Sequence, residues 1–309
     1  MERGLRRLRY FSVLAQELNF RRTAERLHIT QPALSRAIAQ LEDEVGARLL
    51  TRTNRRVALT AAGADFAAGC AALLGGLDDT ITRTLKVAEG HAGTLTIGYT
   101  DTAIAGCLPD HIKTFRAALP QVELRLLQMY STLQIDALAD GMIDVGIMTG
   151  PVADGSLKAL PVQRDRFLAV LPRDNPLSGQ GAVDLKALND YPFVFGDNEA
   201  WSIYNALLFT ECEARGLTPE IIQVVPESRA ILGLVACGFG ISILPECLTR
   251  ALDPRVCAVP IADLSTLMTT QAVWRADTIN PVVARFASHL KSADDRLAPR
   301  SATRSSLKD

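Results

Sequence analysis

"TAERLHITQPALSRAIAQLEDEVG", residues 23–46, decides how the rest of the chain is read. Pro32 stands where the hydrophobic spacing is already helical: Leu34, Ile38, Leu41 and Val45 recur at i, i+4, i+7 and i+11 and share one edge. Proline is tolerated in a first helical turn, whose N–H groups have no intrahelical acceptor. Pro32 therefore marks the start of a helix with Thr30 as its N-cap, and Gly46 marks the stop. Pro32, Arg36, Ala39 and Gln40 project opposite the apolar edge, with Ser35 on the flank and Gln31 at the open end.

Upstream, Leu8, Phe11, Leu14 and Leu18 predict a helix over about 5–18. Asn19 can cap a second helix with Phe20, Ala24 and Leu27 inside, and His28 and Ile29 make the turn. A short loop followed by a helix with a small, polar N-terminal face is the arrangement with which a helix-turn-helix meets DNA. Arginine can pair with guanine and glutamine with adenine, while Ser, Thr and backbone N–H groups suit phosphate. Downstream, "TRTNRRV" (51–57) predicts a two-stranded wing whose tip, Asn54-Arg55-Arg56, carries positive charge. A solvated polar face is the alternative for the helix alone; helix-turn-helix plus basic wing is the stronger reading.

Charge distribution agrees. The chain of 309 residues has a net charge of −1, but residues 1–60 hold 12 Lys+Arg against 6 Asp+Glu, leaving 21 against 28 in the remainder. A basic head on an acidic body suggests a polyanion-binding module joined to something else. The six cysteines form no C-x-x-C pair and no zinc spacing, so buried reduced thiols are expected and no metal or cofactor. The Arg-rich N-terminus leads into an amphipathic segment, and "AILGLVACGFGISIL" (230–244) is short of a membrane span, so a cytoplasmic protein is expected. No G-x-S-x-G or H-E-x-x-H occurs and the four histidines are scattered, so an enzyme is not expected.

Residues 60–89 contain no proline and much alanine, and Phe66, Leu73, Leu77, Ile81 and Leu85 form a stripe. A helix of about 30 residues with this stripe calls for a partner helix, with packing on the next domain of the same chain as the alternative. Beyond "EGHAG" (89–93), short β-rich runs such as "TLTIGY", "VELRLL", "DVGIM" and "RFLAVL" alternate with helical patterns, which predicts α/β lobes with parallel strands. The Pro- and Gly-rich stretch 171–188 is expected to be the crossing between two lobes, and the charged, Ser-rich residues 292–309 a disordered tail.

Ligands in such folds bind beyond the C-terminal strand ends, where helix N-termini present free N–H groups. Those positions are Thr100, Asp101 and Thr102, then Ser131 and Thr132, then Thr149. From the other lobe come Gly196, Trp201, Ser202 and Ser228. Hydroxyls there suit an anionic small molecule; simple N-capping is the alternative for Ser131 and Ser228, and Asp101 opposes an acidic ligand unless it turns away or pairs with a base such as Arg229.

The run Ala24, Leu27, Gln31-Pro32-Ala33-Leu34-Ser35, Ile38, Leu41-Glu42, Gly46, Leu49 and then "LTAAG" (59–63) resembles the winged helix-turn-helix of LysR-type transcriptional regulators. "FRAALPQVELRL", "LADGMIDVGI", "LPRDNPL" and "ILGLVACGFGISILPE" resemble the effector domain of the same family. The resemblance covers about residues 5–290. It implies an α+β multidomain chain: an all-α winged head (1–59), a linker and dimerisation helix (60–90), and a two-lobed, periplasmic-binding-protein-like effector domain (91–291). It implies that Gln31, Pro32, Ser35 and Arg36 face the major groove of an inverted-repeat operator in double-stranded DNA, where the helix reading adds Thr30 and Gln40, and that Arg52 with Arg55 or Arg56 reaches a minor groove or backbone. It implies that Thr102, Ser131 and Thr132 hold or border an effector such as an organic acid. A tetramer built as a dimer of dimers follows from the same resemblance, with RNA polymerase as a further candidate partner. Leu50 stands where the family often has phenylalanine. The alternative is a solute-binding protein or small-molecule enzyme whose N-terminal helices only oligomerise.

Overall fold

The computed structural model of the protein describes residues 2–53, 56–151 and 155–297. The chain forms two compact units that divide between Leu85 and Lys86. The first holds α1 (Glu2–Glu17), α2 (Phe20–Arg26), α3 (Gln31–Val45), β1 (Leu50–Thr53), β2 (Arg56–Leu59) and most of α4 (Ala61–Ala88). Asn19 caps α2, its side-chain oxygen accepting from the Arg22 N–H at 3.1 Å. Thr30 has the extended backbone of an N-cap but its side chain makes no capping bond, so the start of α3 rests on Pro32. Gly46 ends α3 with φ of 74°, in the left-handed region where a side chain would be strained.

Phe11, Leu14, Phe20, Leu34, Ile38, Leu41, Leu49 and Cys70 pack into one core. Two expected members stay outside it. Leu18 is exposed because α1 ends at Glu17 and Leu18 turns to φ 48°. Val45 is 40% exposed, and the inward position one turn earlier is taken by Glu42, only 4% exposed. Glu42 Oε1 accepts from the buried backbone N–H groups of Leu49 and Leu50 at 2.8 and 3.0 Å, which ties α3 to the wing. The wing is antiparallel, with Leu50 opposite Leu59 and Arg52 opposite Val57. α4 begins against it: a Cβ on Gly63 would overlap the Leu49 carbonyl oxygen. Farther along α4, Leu73, Ile81 and Leu85 of the expected stripe stand exposed.

The second unit runs β3 (Gly93–Tyr99), α5 (Asp101–Ala105), α6 (Leu108–Ala118), β4 (Val122–Gln128), α7 (Ser131–Ala139), β5 (Val145–Thr149) and β6 (Leu157–Pro172). It continues β7 (Pro192–Gly196), α8 (Ser202–Ala214), β8 (Glu220–Val225), α9 (Ser228–Ala236), β9 (Ser242–Pro245), β10 (Val256–Pro260), β11 (Leu267–Arg275) and α10 (Pro281–Leu297). β10-β6-β11-β5-β3-β4 form one sheet with β9 also on β6, and β7 pairs with β8. Parallel pairing, expected throughout, holds for β3 with β4 and β5 and for β7 with β8. β6 instead pairs antiparallel with β9, β10 and β11, and β11 antiparallel with β5.

That long pairing makes the crossing. The first half of β6 and the second half of β11 pack on a core of Leu95, Ile97, Phe115, Val145 and Phe286; the other halves join a core of Phe193, Phe195, Leu208 and Ile243. The lobes are therefore bridged by β6 and β11, not by residues 171–188. α10 continues through residue 297, so the expected tail at 292 begins too early; residues 298–309 lie outside the described residues.

Candidate functional site

Two surfaces stand out, one in each unit. On the head, burial of Leu34, Ile38 and Leu41 turns the opposite side of α3 outward. Thr30, Gln31, Pro32, Arg36 and Gln40 are exposed and Ser35 is half-buried. The Arg36 guanidinium lies back along the helix, donating to the Pro32 carbonyl at 3.4 Å. Gln40 accepts from Arg7 of α1 at 3.4 Å, and the same Arg7 pairs with Glu44 at 2.6 Å. Arg52 and Arg56 fall on the two wing strands, while Asn54 and Arg55 lie outside the described residues.

In the body, the ends of β3, β4 and β5 and the start of α8 enclose a cavity of about 340 Å³. Thr100, Thr102, Ser131, Thr132 and Thr149 line it from one lobe, and Trp201 and Ser202 from the other. Its floor is a hydroxyl chain: Thr100 to Thr102 at 2.8 Å and Thr102 to Thr149 at 3.3 Å. Ser131 accepts from the Thr149 N–H at 3.1 Å, so it is bound across to β5 and does not cap its own helix. Two of the helices that start at the cavity, α7 and α8, have no side-chain cap, and their first-turn N–H groups point along the axis toward it.

Two predicted residues are placed differently. Gly196 lies beneath the Trp201 ring, which a Cβ there would overlap. Ser228 is outside the lining and is taken up by Asp101. Asp101 does not pair with Arg229. Its Oδ1 accepts from Gln128 at 2.6 Å; its Oδ2 accepts from the Ser228 hydroxyl at 3.0 Å and the Ser228 N–H at 3.4 Å. One carboxylate thus bridges the lobes, seated at the N-terminus of α9. The sequence reading missed the apolar walls, among them Met129, Leu133, Ile203 and Tyr204, and the second carboxylate, Glu227. Each lies within a few residues of a position already picked out, so the strand-end rule carried a little farther finds them. The Trp201 indole N–H donates to the Pro226 carbonyl at 2.7 Å and the Tyr204 hydroxyl to the Ile243 carbonyl at 2.7 Å, which fixes both rings. Burial pushes the Tyr204 phenol well above its usual range, so it stays neutral. Among the described residues no group of three or more His, Cys, Asp or Glu could hold a metal ion, and no helix is long and apolar enough to cross a membrane.

A winged helix-turn-helix head on a long helix, followed by a two-lobed body with a cavity at its strand ends, defines a DNA-binding regulator that carries a ligand-binding domain. Residues 5–64 match the bacterial regulatory helix-turn-helix proteins of the lysR family, and residues 88–295 match the LysR substrate binding domain. The chain belongs to the LysR family of transcriptional regulators. It is 38% identical over 292 residues to the HTH-type transcriptional regulator YnfL of Escherichia coli (strain K12), covering 94% of this chain and 98% of that one. It is 33% identical over 282 residues to the HTH-type transcriptional regulator AlsR of Bacillus subtilis (strain 168), covering 91% and 93%. The fold matches the crystal structure of CbnR, a LysR family transcriptional regulator, with a TM-score of 0.84 at 24% identity over 93% of this chain and 99% of that one. CbnR complexed with its target DNA matches with a TM-score of 0.82 at the same identity over 94% and 99%.

Proposed function

We propose that this regulator reads an operator with the N-terminal half of α3 and responds to a small molecule held in the cleft of its body. The observation that carries the first half is the exposed polar face Gln31–Arg36 on a helix whose other edge is buried. Gln31, Pro32, Ser35 and Arg36 enter the major groove, Thr30 and Gln40 flank them, and the wing residues Arg52, Arg55 and Arg56 meet the backbone or a minor groove. The solved complex of CbnR with its target DNA supports this docking. The exposed stripe of Leu73, Ile81 and Leu85 on α4 supports pairing with a second copy, which gives two heads for two half-sites, and two such pairs form the tetramer. The hydroxyl floor and two uncapped helix starts in the body are the features that suit a ligand with an anionic group. The part played by the relatives, regulation, supports binding without catalysis in the cytoplasm.

Fluorescence anisotropy of the full-length protein tests the head. The probe is DNA from immediately upstream of its own gene, with scrambled DNA beside it, at two salt concentrations. Loss of one base contact in Arg36→Ala is expected to weaken the specific site by about 1–3 kcal/mol and the scrambled one much less. Equal weakening on both would make Arg36 a phosphate contact and remove the base-reading role.

A further inference from the structure

Resting on the cleft as the effector site, the charges around it say what the effector must carry. Two elements favour a carboxylate: the uncapped starts of α7 and α8 and the hydroxyls of Thr102 and Thr132. Two elements at the rim repel one. Asp101 and Glu227 both border the cavity, and Asp101 is hydrogen-bonded to Ser228, the residue next to Glu227. The donors on Asp101 are an amide, a hydroxyl and a backbone N–H, none of them cationic, and the described lining contains no Lys, Arg or His. Hydrogen bonds from neutral donors steady a carboxylate without cancelling its charge, and the α9 dipole offsets about half a charge at most. Uncompensated negative charge beside the cavity is felt by anything that binds there. The walls between the two ends, Trp201, Leu133 and Ile203, are apolar.

We infer that the cleft takes an amino-carboxylate: a small zwitterion whose carboxylate meets the helix starts, whose ammonium group meets Asp101 and Glu227, and whose apolar frame lies against Trp201. A cavity of about 340 Å³ is at the small end for ligand pockets and suits a molecule the size of a single amino acid. The ammonium adds donors where the Glu227 carboxylate, which accepts no hydrogen bond among the described residues, has free acceptors. A polyanionic acid would bring further negative charge to the same rim and is disfavoured.

Titration calorimetry on the full-length protein tests this with matched pairs. The probes are the protein amino acids and the acids that lack only the amino group, isocaproate for leucine and hydrocinnamate for phenylalanine. At least one amino acid is expected to bind about tenfold or more tightly than its des-amino partner. In Glu227→Gln the gap should shrink to about threefold or less, the amino acid weakening and the des-amino acid binding no more weakly than to wild type. An acid without an amine that binds as tightly as its amino partner overturns the inference, as does a panel in which no amino acid binds. Thr102→Val separates the two levels. If a des-amino acid binds wild type as tightly as its amino partner and is lost in Thr102→Val, the cleft stands and the ammonium site falls. If an amino acid binds but neither Thr102→Val nor Glu227→Gln changes its affinity, it binds elsewhere and both readings fall.

Discussion

Glu42 holds the wing to α3, and its removal should loosen the head in a way that can be worked from the hydrogen bonds. The carboxylate is buried, and a single oxygen, Oε1, accepts both the Leu49 and the Leu50 N–H. Arg48 reaches the other oxygen only at 3.5 Å and is largely exposed, so it adds little. Glu42→Ala leaves two buried donors without an acceptor, at about 1–3 kcal/mol each, or about 2–5 kcal/mol together after some relaxation. A head of this size has a total stability of about 4–13 kcal/mol, so the loss is a large fraction. Glu42→Gln keeps an oxygen in the same place that can accept both bonds and gives up only the charge assistance, about 1–2 kcal/mol. Hydrogen exchange read by mass spectrometry on the full-length protein resolves the two. Peptides covering residues 49–59 should exchange about 30-fold faster or more in the alanine variant and about tenfold faster in the glutamine variant. Peptides from β6 in the other unit should be unchanged in both. Equal acceleration in the two variants would show that the charge, and not the acceptor position, holds the wing. Protection within twofold of wild type in Glu42→Ala would refute the reasoning altogether.

Gly196→Ala places a methyl group into the Trp201 ring, and because that ring is also held by Pro226, the body should lose about 1–3 kcal/mol; a melting temperature within a degree of wild type would mean that the ring moves freely. Burial raises the Asp165 carboxyl above its usual range, against the pull of hydrogen bonds from Gln163 and Cys247. Its folded form then holds more protons than the unfolded chain from about pH 4 up to the raised value, so this group makes the body more stable as pH falls through that window. Melting curves between pH 4 and 7 should show that contribution in wild type and not in Asp165→Asn; identical pH profiles would argue against it. Asp253 works in the opposite sense. Its hydrogen bonds from Arg255 bring the carboxyl down to about 2, so its small, solvent-screened contribution is present above about pH 4 and disappears as pH falls toward 2.

The head was legible because its signals are local. Pro32, Gly46 and Asn19 each act through the backbone of their own turn, and the structure uses each as the sequence suggests. Val45 stands outside the core, against its place on the apolar edge, and Glu42 stands inside, because a hydrophobic period assigns inside and outside by residue type. A carboxylate that accepts two backbone N–H groups from a distant strand can take an inward place that no pattern reserves for it. The cleft residues Thr100, Thr102, Ser131 and Thr149 followed from one rule about strand ends, which depends only on finding the strands. Strand direction did not follow, because pairing is non-local. The sequence pattern marks β6 only over its apolar run 166–171, whereas the strand begins at Leu157. The part of β6 before that run carries Pro161, Arg164 and Asp165, and Pro161 is tolerated there because the register with β11 shifts between Thr270 and Gln271, opposite it. The partners of Asp101 were equally out of reach, since Ser228 is brought to it only by the two lobes closing on each other.

The bridge formed by β6 and β11 also fixes an order of assembly. The core of the lobe that begins first in the chain draws on residues from Leu95 to Leu290, whereas the other core is complete once Met268 is in place. The lobe encoded in the middle therefore holds every piece it needs while the first still lacks β11's second half and all of α10. As the chain leaves the ribosome, the lobe that is begun second should be finished first, with the exposed apolar residues of β3 and α6 waiting for the last helix. A chain stopped at residue 278 should protect β7, β9 and α8 from exchange and leave β3 and α6 open, so the final helix acts as the closing piece of a lobe started nearly two hundred residues earlier.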